Sequence, residues 1–245
     1  MILHLYDFAR GIFLWLAVVG LGTASLAWGG ESALVIGPAQ VQADGTVVVR
    51  DQALATRLGG PGEVREVRFD FGMPNQPAAQ RWLEQSNLPI CHTLWEKDGV
   101  RYTQTVLIGR LDGDGTMGAG QNVGEKVIMV RLAGENTATV YSNAAAALTV
   151  RVGGQTLKLE LRDDVAHWIG PEKFVPLAVV DISPSATVTT NGTRLEFSGN
   201  MPPGTTGSMT IKIPLVNLDQ PVIVERVREL EFEDEFQRIK KAATR

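Results

Sequence analysis

A single cysteine, Cys91, stands in 245 residues, so the chain closes no internal disulfide and holds no metal through paired thiolates. Histidine is almost as scarce. Of three, His4 lies in an apolar leader, and His92 and His167 stand far apart. That leaves neither a zinc triad nor a credible serine triad. A concentrated basic surface is missing too: the formal net charge is −4, and no run of Lys and Arg could neutralise phosphates. No nucleic-acid partner is therefore expected. Strand–helix–strand alternation is absent, which argues against a doubly wound nucleotide fold. Gly59-Gly60-Pro61-Gly62 reads as a turn, because the Lys and helix of a phosphate loop do not follow. No cofactor is expected.

What is present begins with the leader. Met1–Arg10 is short, Gly11–Trp28 is apolar or small throughout, and Ser25-Leu26-Ala27 offers small residues for cleavage after Ala27. This is the pattern of an export signal over residues 1–27, placing the mature chain in the periplasm, the cell envelope or outside the cell. An uncleaved membrane anchor is the alternative, because the run is just long enough to span a bilayer. Membrane contact is expected only in that case. With one thiol, the exported chain must be stabilised by a core, which roughly two hundred residues can build.

Beyond the leader, short β-branched runs are broken by Gly, Pro, Asn and Asp. Three dipeptides read as two-residue hairpin turns. Asp98-Gly99 joins Cys91–Lys97 to Val100–Ile108, setting Trp95 opposite Tyr102 and Glu96 opposite Arg101. Gly153-Gly154 joins Leu148–Val152 to Gln155–Leu161, with Val150 opposite Leu157 and Leu148 opposite Leu159. Asn191-Gly192 joins Ala186–Thr190 to Thr193–Ser198, with Val188 opposite Leu195 and Ala186 opposite Phe197. Each register sorts apolar from polar or pairs like with like, as period two demands.

Further strands are predicted at Ala33–Ile36, Thr46–Val49, Val64–Phe71, Lys126–Leu132, Phe174–Ile182, Ser208–Ile213 and Val222–Val227. Turns every eight to twelve residues, roughly, mark a mainly β chain folded as an antiparallel β-sandwich over residues 28–228. A short helix is predicted around Pro77–Gln85, with Trp82 covering a sheet edge. A linker helix follows over residues 229–245. Phe232, Phe236, Ile239 and Ala243 form its apolar stripe, with acids early and bases late. No segment of the chain is expected to cover that stripe, so the helix reads as a truncated connector to an absent partner.

Chemical motifs are sparse. Asp112-Gly-Asp114-Gly-Thr116 resembles the start of a calcium loop, but Met117 and Val123 stand where Gly and Glu belong. A Gly/Asp-rich surface loop explains it equally well, and no metal site is assigned. Cys91 and His92 are strand neighbours and point to opposite faces, so they read as a buried thiol beside a half-exposed imidazole. The adjacent acids Asp163-Asp164 read as turn formers. Trp82, Trp95, Tyr102 and Trp168 are the aromatics able to stack on a sugar, and Trp95, Tyr102 and Trp168 are the candidate substrate contacts; core packing is the competing role.

The segment Arg81–Leu111 carries Trp82, Leu88-Pro89-Ile90, Asp98-Gly99, Tyr102 and the Gln104-Thr105-Val106 run. Val127–Leu132, Asn136 and the charged end Glu231–Arg245 follow. Together they resemble the N-terminal β-supersandwich of secreted bacterial glycoside hydrolases with a glucoamylase-like six-hairpin (α/α)6 barrel. The resemblance spans roughly residues 64–245 through loose patterns. It implies a supersandwich-like, non-catalytic portion of a carbohydrate-active protein, meeting a barrel through Phe232, Phe236 and Ile239. No catalytic residue carries over, because in that family the catalytic carboxylates sit on the barrel. A free carbohydrate- or surface-binding module and a membrane-anchored envelope scaffold remain as alternatives.

Overall fold

Asp98 and Gly99 both take positive φ, 52° and 77°, as a type I′ turn demands. The strands they join pair as alternation requires, Trp95 opposite Tyr102 and Glu96 opposite Arg101. The computed structural model describes residues 33–60, 62–72, 78, 80–86, 88–111, 125–171, 174–183 and 186–243. The leader (1–27) and the Asp112–Thr116 motif lie outside the described residues.

In chain order the strands are β1 (Leu34–Ile36), β2 (Ala39–Val41), β3 (Val47–Arg50) and β4 (Glu66–Asp70), with helix α1 (Gln52–Arg57) before β4. Next come β5 (Gln80–Leu83), β6 (Ile90–Lys97), β7 (Val100–Leu111), β8 (Glu125–Asn136) and β9 (Ser142–Val152). The short β10 (Gln155–Thr156), β11 (Leu159–Arg162) and β12 (Val165–Ile169) lead to β13 (Phe174–Ile182). β14 (Thr187–Asn191), β15 (Arg194–Met201) and β16 (Thr206–Pro214) precede two helices, α2 (Pro221–Glu229) and α3 (Phe232–Ala243).

The strands form two antiparallel sheets of eight among the described residues. One runs β1-β2-β3-β4-β9-β15-β14, with β10 paired to β9; the other runs β11-β12-β13-β16-β8-β7-β6-β5. Their inner faces share one core, where Phe69, Trp95, Val106, Ile128, Val150, Leu195 and Ile211 are buried. The chain is thus an antiparallel β-sandwich.

Two hairpins depart from the expected register. At Gly153-Gly154, both at positive φ, pairing begins as expected: Gln155 faces Val152, and the Leu157 N–H donates to the Val150 carbonyl at 2.8 Å. The chain then changes sheets. β11 pairs with β12, so Leu159 faces Trp168, while Leu148 faces Leu195. Leu159 is fully buried all the same, since both sheets line one core. At the other hairpin the reversal sits one residue later than expected. Asn191 faces Arg194 and Val188 faces Phe197, with Gly192 at φ 59° opening the turn. The pairing moves by two positions, so every side chain keeps its face.

Two element types differ from expectation. Val222–Val227 is helix, not strand: Pro221 occupies the first turn and Arg226 and Arg228 the last. Proline pre-sets φ for a helix start, and the bases complement the dipole. The predicted short helix near Pro77–Gln85 is instead β5, hydrogen-bonded to β6, ending in a single 3-10 turn at Glu84–Ser86. The short α1 was not anticipated; the Asp51 carboxylate caps it by accepting from the Leu54 N–H at 2.8 Å.

α3 forms where its periodicity predicts, but Phe232 and Ile239 of its stripe are covered by the chain itself, with Phe236 half-buried and Ala243 exposed. Phe232 and Ile239 are buried with Val227 of α2 against Ile90, Leu107, Leu111, Val127 and Met129. Those sheet residues point away from the inter-sheet core. The helices are therefore a third layer on the outer face of the second sheet.

Candidate functional site

The three aromatics expected to meet a sugar are core residues. Trp95 is 1% exposed, Tyr102 8% and Trp168 9%. Gly45 sits against the six-membered edge of Trp95, where an added Cβ would lie 2.6 Å from the ring. The Tyr102 hydroxyl accepts from the Ala145 N–H across the sandwich at 3.4 Å, beside an apolar cavity of ≈ 80 Å³ bordered by Leu132, Phe197 and Met209. Trp168 lies under Gly59, 9% exposed, and lines a cleft shared with Gln155, Lys158 and Pro171. None of these rings offers an open face for stacking.

The polar chemistry lies elsewhere, between the second sheet and α3. The register that sets Trp95 opposite Tyr102 also sets His92 opposite Thr105. His92 is buried rather than half-exposed. Its Nδ1 meets Thr105 Oγ1 at 3.1 Å and its Nε2 meets Glu84 Oε2 at 3.0 Å. A carboxylate only accepts, so neutral His92 donates from Nε2 and its Nδ1 accepts the Thr105 hydroxyl proton. Lys240 of α3 donates to the other Glu84 oxygen at 2.8 Å. Trp82 stacks on the imidazole, with centroids 5.0 Å apart and planes inclined 20°, and Phe236 meets it edge-on at 6.4 Å.

These contacts explain the titration of the cluster. The hydrogen bond from Lys240 is the largest influence on Glu84 and holds its carboxyl below the usual range. Burial pushes His92 down, and only in part does Glu84 oppose this. A hydroxyl, an imidazole and a carboxylate in sequence are the parts of a nucleophile relay. Here, however, Thr105 and His92 are both buried, and α3 lies over them. The geometry suits fastening a helix to a sheet.

Other charges fasten the same layer. The Arg228 guanidinium grips both Asp164 oxygens, which raises its own pKa and lowers that of Asp164. Buried Lys212 pairs with Asp181 at 2.7 Å and donates to the Arg228 carbonyl at 2.7 Å. Glu235, on α3, accepts from the Arg110 N–H at 3.1 Å. Buried charge survives only with such partners.

Cys91 points into the sandwich core while His92 points to the helix side, as strand alternation requires. Burial raises its thiol to about 11, which leaves it unreactive near neutrality. Among the described residues no group of three His, Cys, Asp or Glu converges as metal ligands, and no helix is long and apolar enough to cross a membrane.

Of this cluster, the His92–Thr105 contact could be read from the hairpin register. Glu84 and Lys240 could not, since 156 residues separate them. By architecture the chain belongs to the class of antiparallel β-sandwiches that carry a helical layer on one outer face. Comparison with protein-family models and with curated proteins gave no match.

Proposed function

We propose that this chain is the non-catalytic sandwich of an exported, carbohydrate-active protein of the glycoside hydrolase-like kind, and that it supports a catalytic helical barrel. The observation that carries this reading is the mounting of α3. Apolar burial and the Glu84–Lys240, Glu235–Arg110 and Arg131–Glu233 contacts fix it to the sheet. A helix held in this way is a stiff bracket for a second body.

Phe232 and Ile239 are buried against the chain's own sheet. The barrel, on the same polypeptide or another, therefore meets the exposed side of α3, which carries Asp234, Gln237 and Lys241. The resemblance of Arg81–Leu111 and Glu231–Arg245 to secreted glycoside hydrolases supports the carbohydrate assignment, and the apolar leader supports export. The deciding experiment is sequencing of the genomic DNA across codon 245. A reading frame that continues into, or adjoins, a helical-barrel glycosidase agrees with the proposal. A stop codon flanked by genes without carbohydrate chemistry sinks it. The mass of the mature chain separates export from anchoring: a protein beginning near Trp28 has lost its leader.

A further inference from the structure

Trp82 is the exposed member of the described tryptophans, at 37% of its surface. It lies on β5, the outermost strand of its sheet, directly opposite His92 in the pairing register. One face of the indole is stacked on the imidazole, so its exposure falls on the opposite face and the rim. The support beneath it is rigid, because both His92 nitrogens are engaged, by Glu84 and Thr105. An aromatic plane held in this way loses little freedom when a ligand lands on it.

The groups beside the imidazole that carries the indole are polar and electrically balanced. Glu84 and Lys240 form an ion pair 2.8 Å long, with side chains 20% and 31% exposed; Glu84 meets the His92 imidazole and the Lys240 ammonium lies 5.2 Å from the Phe236 ring centre. Gln80 is exposed two residues before Trp82, hence on the same face of the strand. A flat π surface bordered by a carboxylate, an ammonium and an amide matches a pyranose. The sugar's C–H face packs on the indole, and its hydroxyls both donate and accept at the rim. Since the flanking charges cancel, the match is to neutral sugars and not to uronates.

We propose that Trp82, with Gln80, Glu84 and Lys240 beside it, is a platform that binds neutral polysaccharide chains. This rests on the carbohydrate reading above and supplies it with a contact surface. The full chain is titrated with mixed-linkage β-glucan, soluble starch, xylan and polygalacturonate, using gel retardation and tryptophan fluorescence. At least one neutral glycan is expected to retard the protein and change its emission. Trp82→Ala should weaken that binding by about tenfold or more, one stacking contact, while a cooperative thermal transition, lowered by the lost stack on His92, is retained. Trp82→Tyr should retain most of it. Binding by none of the neutral glycans, binding of polygalacturonate alone, or unaltered binding by Trp82→Ala overturns the platform. The two proposals fail separately: a barrel encoded downstream without glycan binding removes only the platform, and glycan binding without a barrel removes only the support role.

Discussion

Trp95 shows how a residue's environment outranks its chemical type. An indole can stack on a sugar or fill a core, and here the β2–β3 turn closes over it. Gly45 makes that approach possible, with φ at 81° and open space where a Cβ would strike Trp95 at 2.6 Å and 2.7 Å. Gly45→Ala should therefore cost about 2–4 kcal/mol, combining strained backbone with a displaced core ring. Urea unfolding measures it, and a variant as stable as the parent would show that the ring is not seated there. Trp82 is the converse case. Its position on an edge strand, which sequence periodicity misassigned to a helix, leaves it facing outward.

At the scale of elements, the junction between α3 and its sheet joins apolar burial to titratable groups. Phe232, the first residue of α3, is 3% exposed, with the Arg131 guanidinium 3.9 Å from its ring centre. Phe232→Ala should cost about 3 kcal/mol or somewhat more, and amide hydrogen exchange should quicken through α3 before the sandwich strands. The pH dependence has a definite sign. Burial lowers His92 from its ordinary 6.5, so below that pH the unfolded chain binds more protons than the folded one. Stability is then complete above the ordinary value and falls as pH drops toward the depressed one. His167 is lowered by burial as well and acts in the same direction. Glu84 adds a second loss lower down, from its ordinary 4.5 toward its depressed folded value. The urea midpoint of the parent should fall between about pH 7 and about pH 5.5 more steeply than that of His92→Gln. Equal slopes would remove His92 from the account.

At the scale of the whole molecule, the described residues form one inter-sheet core and a smaller one beneath the helices. The larger contains residues from both sheets, including the crossing Leu157 and Leu159, so neither sheet can unfold without exposing the inner face of the other. Far-UV circular dichroism and tryptophan emission should accordingly report one coincident urea transition. Separate transitions would mean that the helical layer or one sheet unfolds alone. Much of this architecture was legible in local pattern. Asp98-Gly99 fixed its own turn and, through register, both the Trp95–Tyr102 and His92–Thr105 pairs. The stripe of α3 announced its helix, and alternation placed Cys91 inward. Where local signals conflicted, reading failed. The β-branched run at Val222–Val224 suggested a strand, yet Pro221 and the terminal bases favoured a helix that the sheet could bury. Tertiary structure alone decided three things. It sent β11, two residues beyond the β9–β10 pairing, into the opposite sheet, covered Phe232 and Ile239 of α3 with the chain's own outer sheet face, and joined Glu84 to Lys240 across 156 positions. Sequence by itself determined turns and faces, because these depend on glycine's freedom at positive φ and on side-chain alternation. Which face met which depended on how the sheets and helices stacked, and no local pattern encodes that.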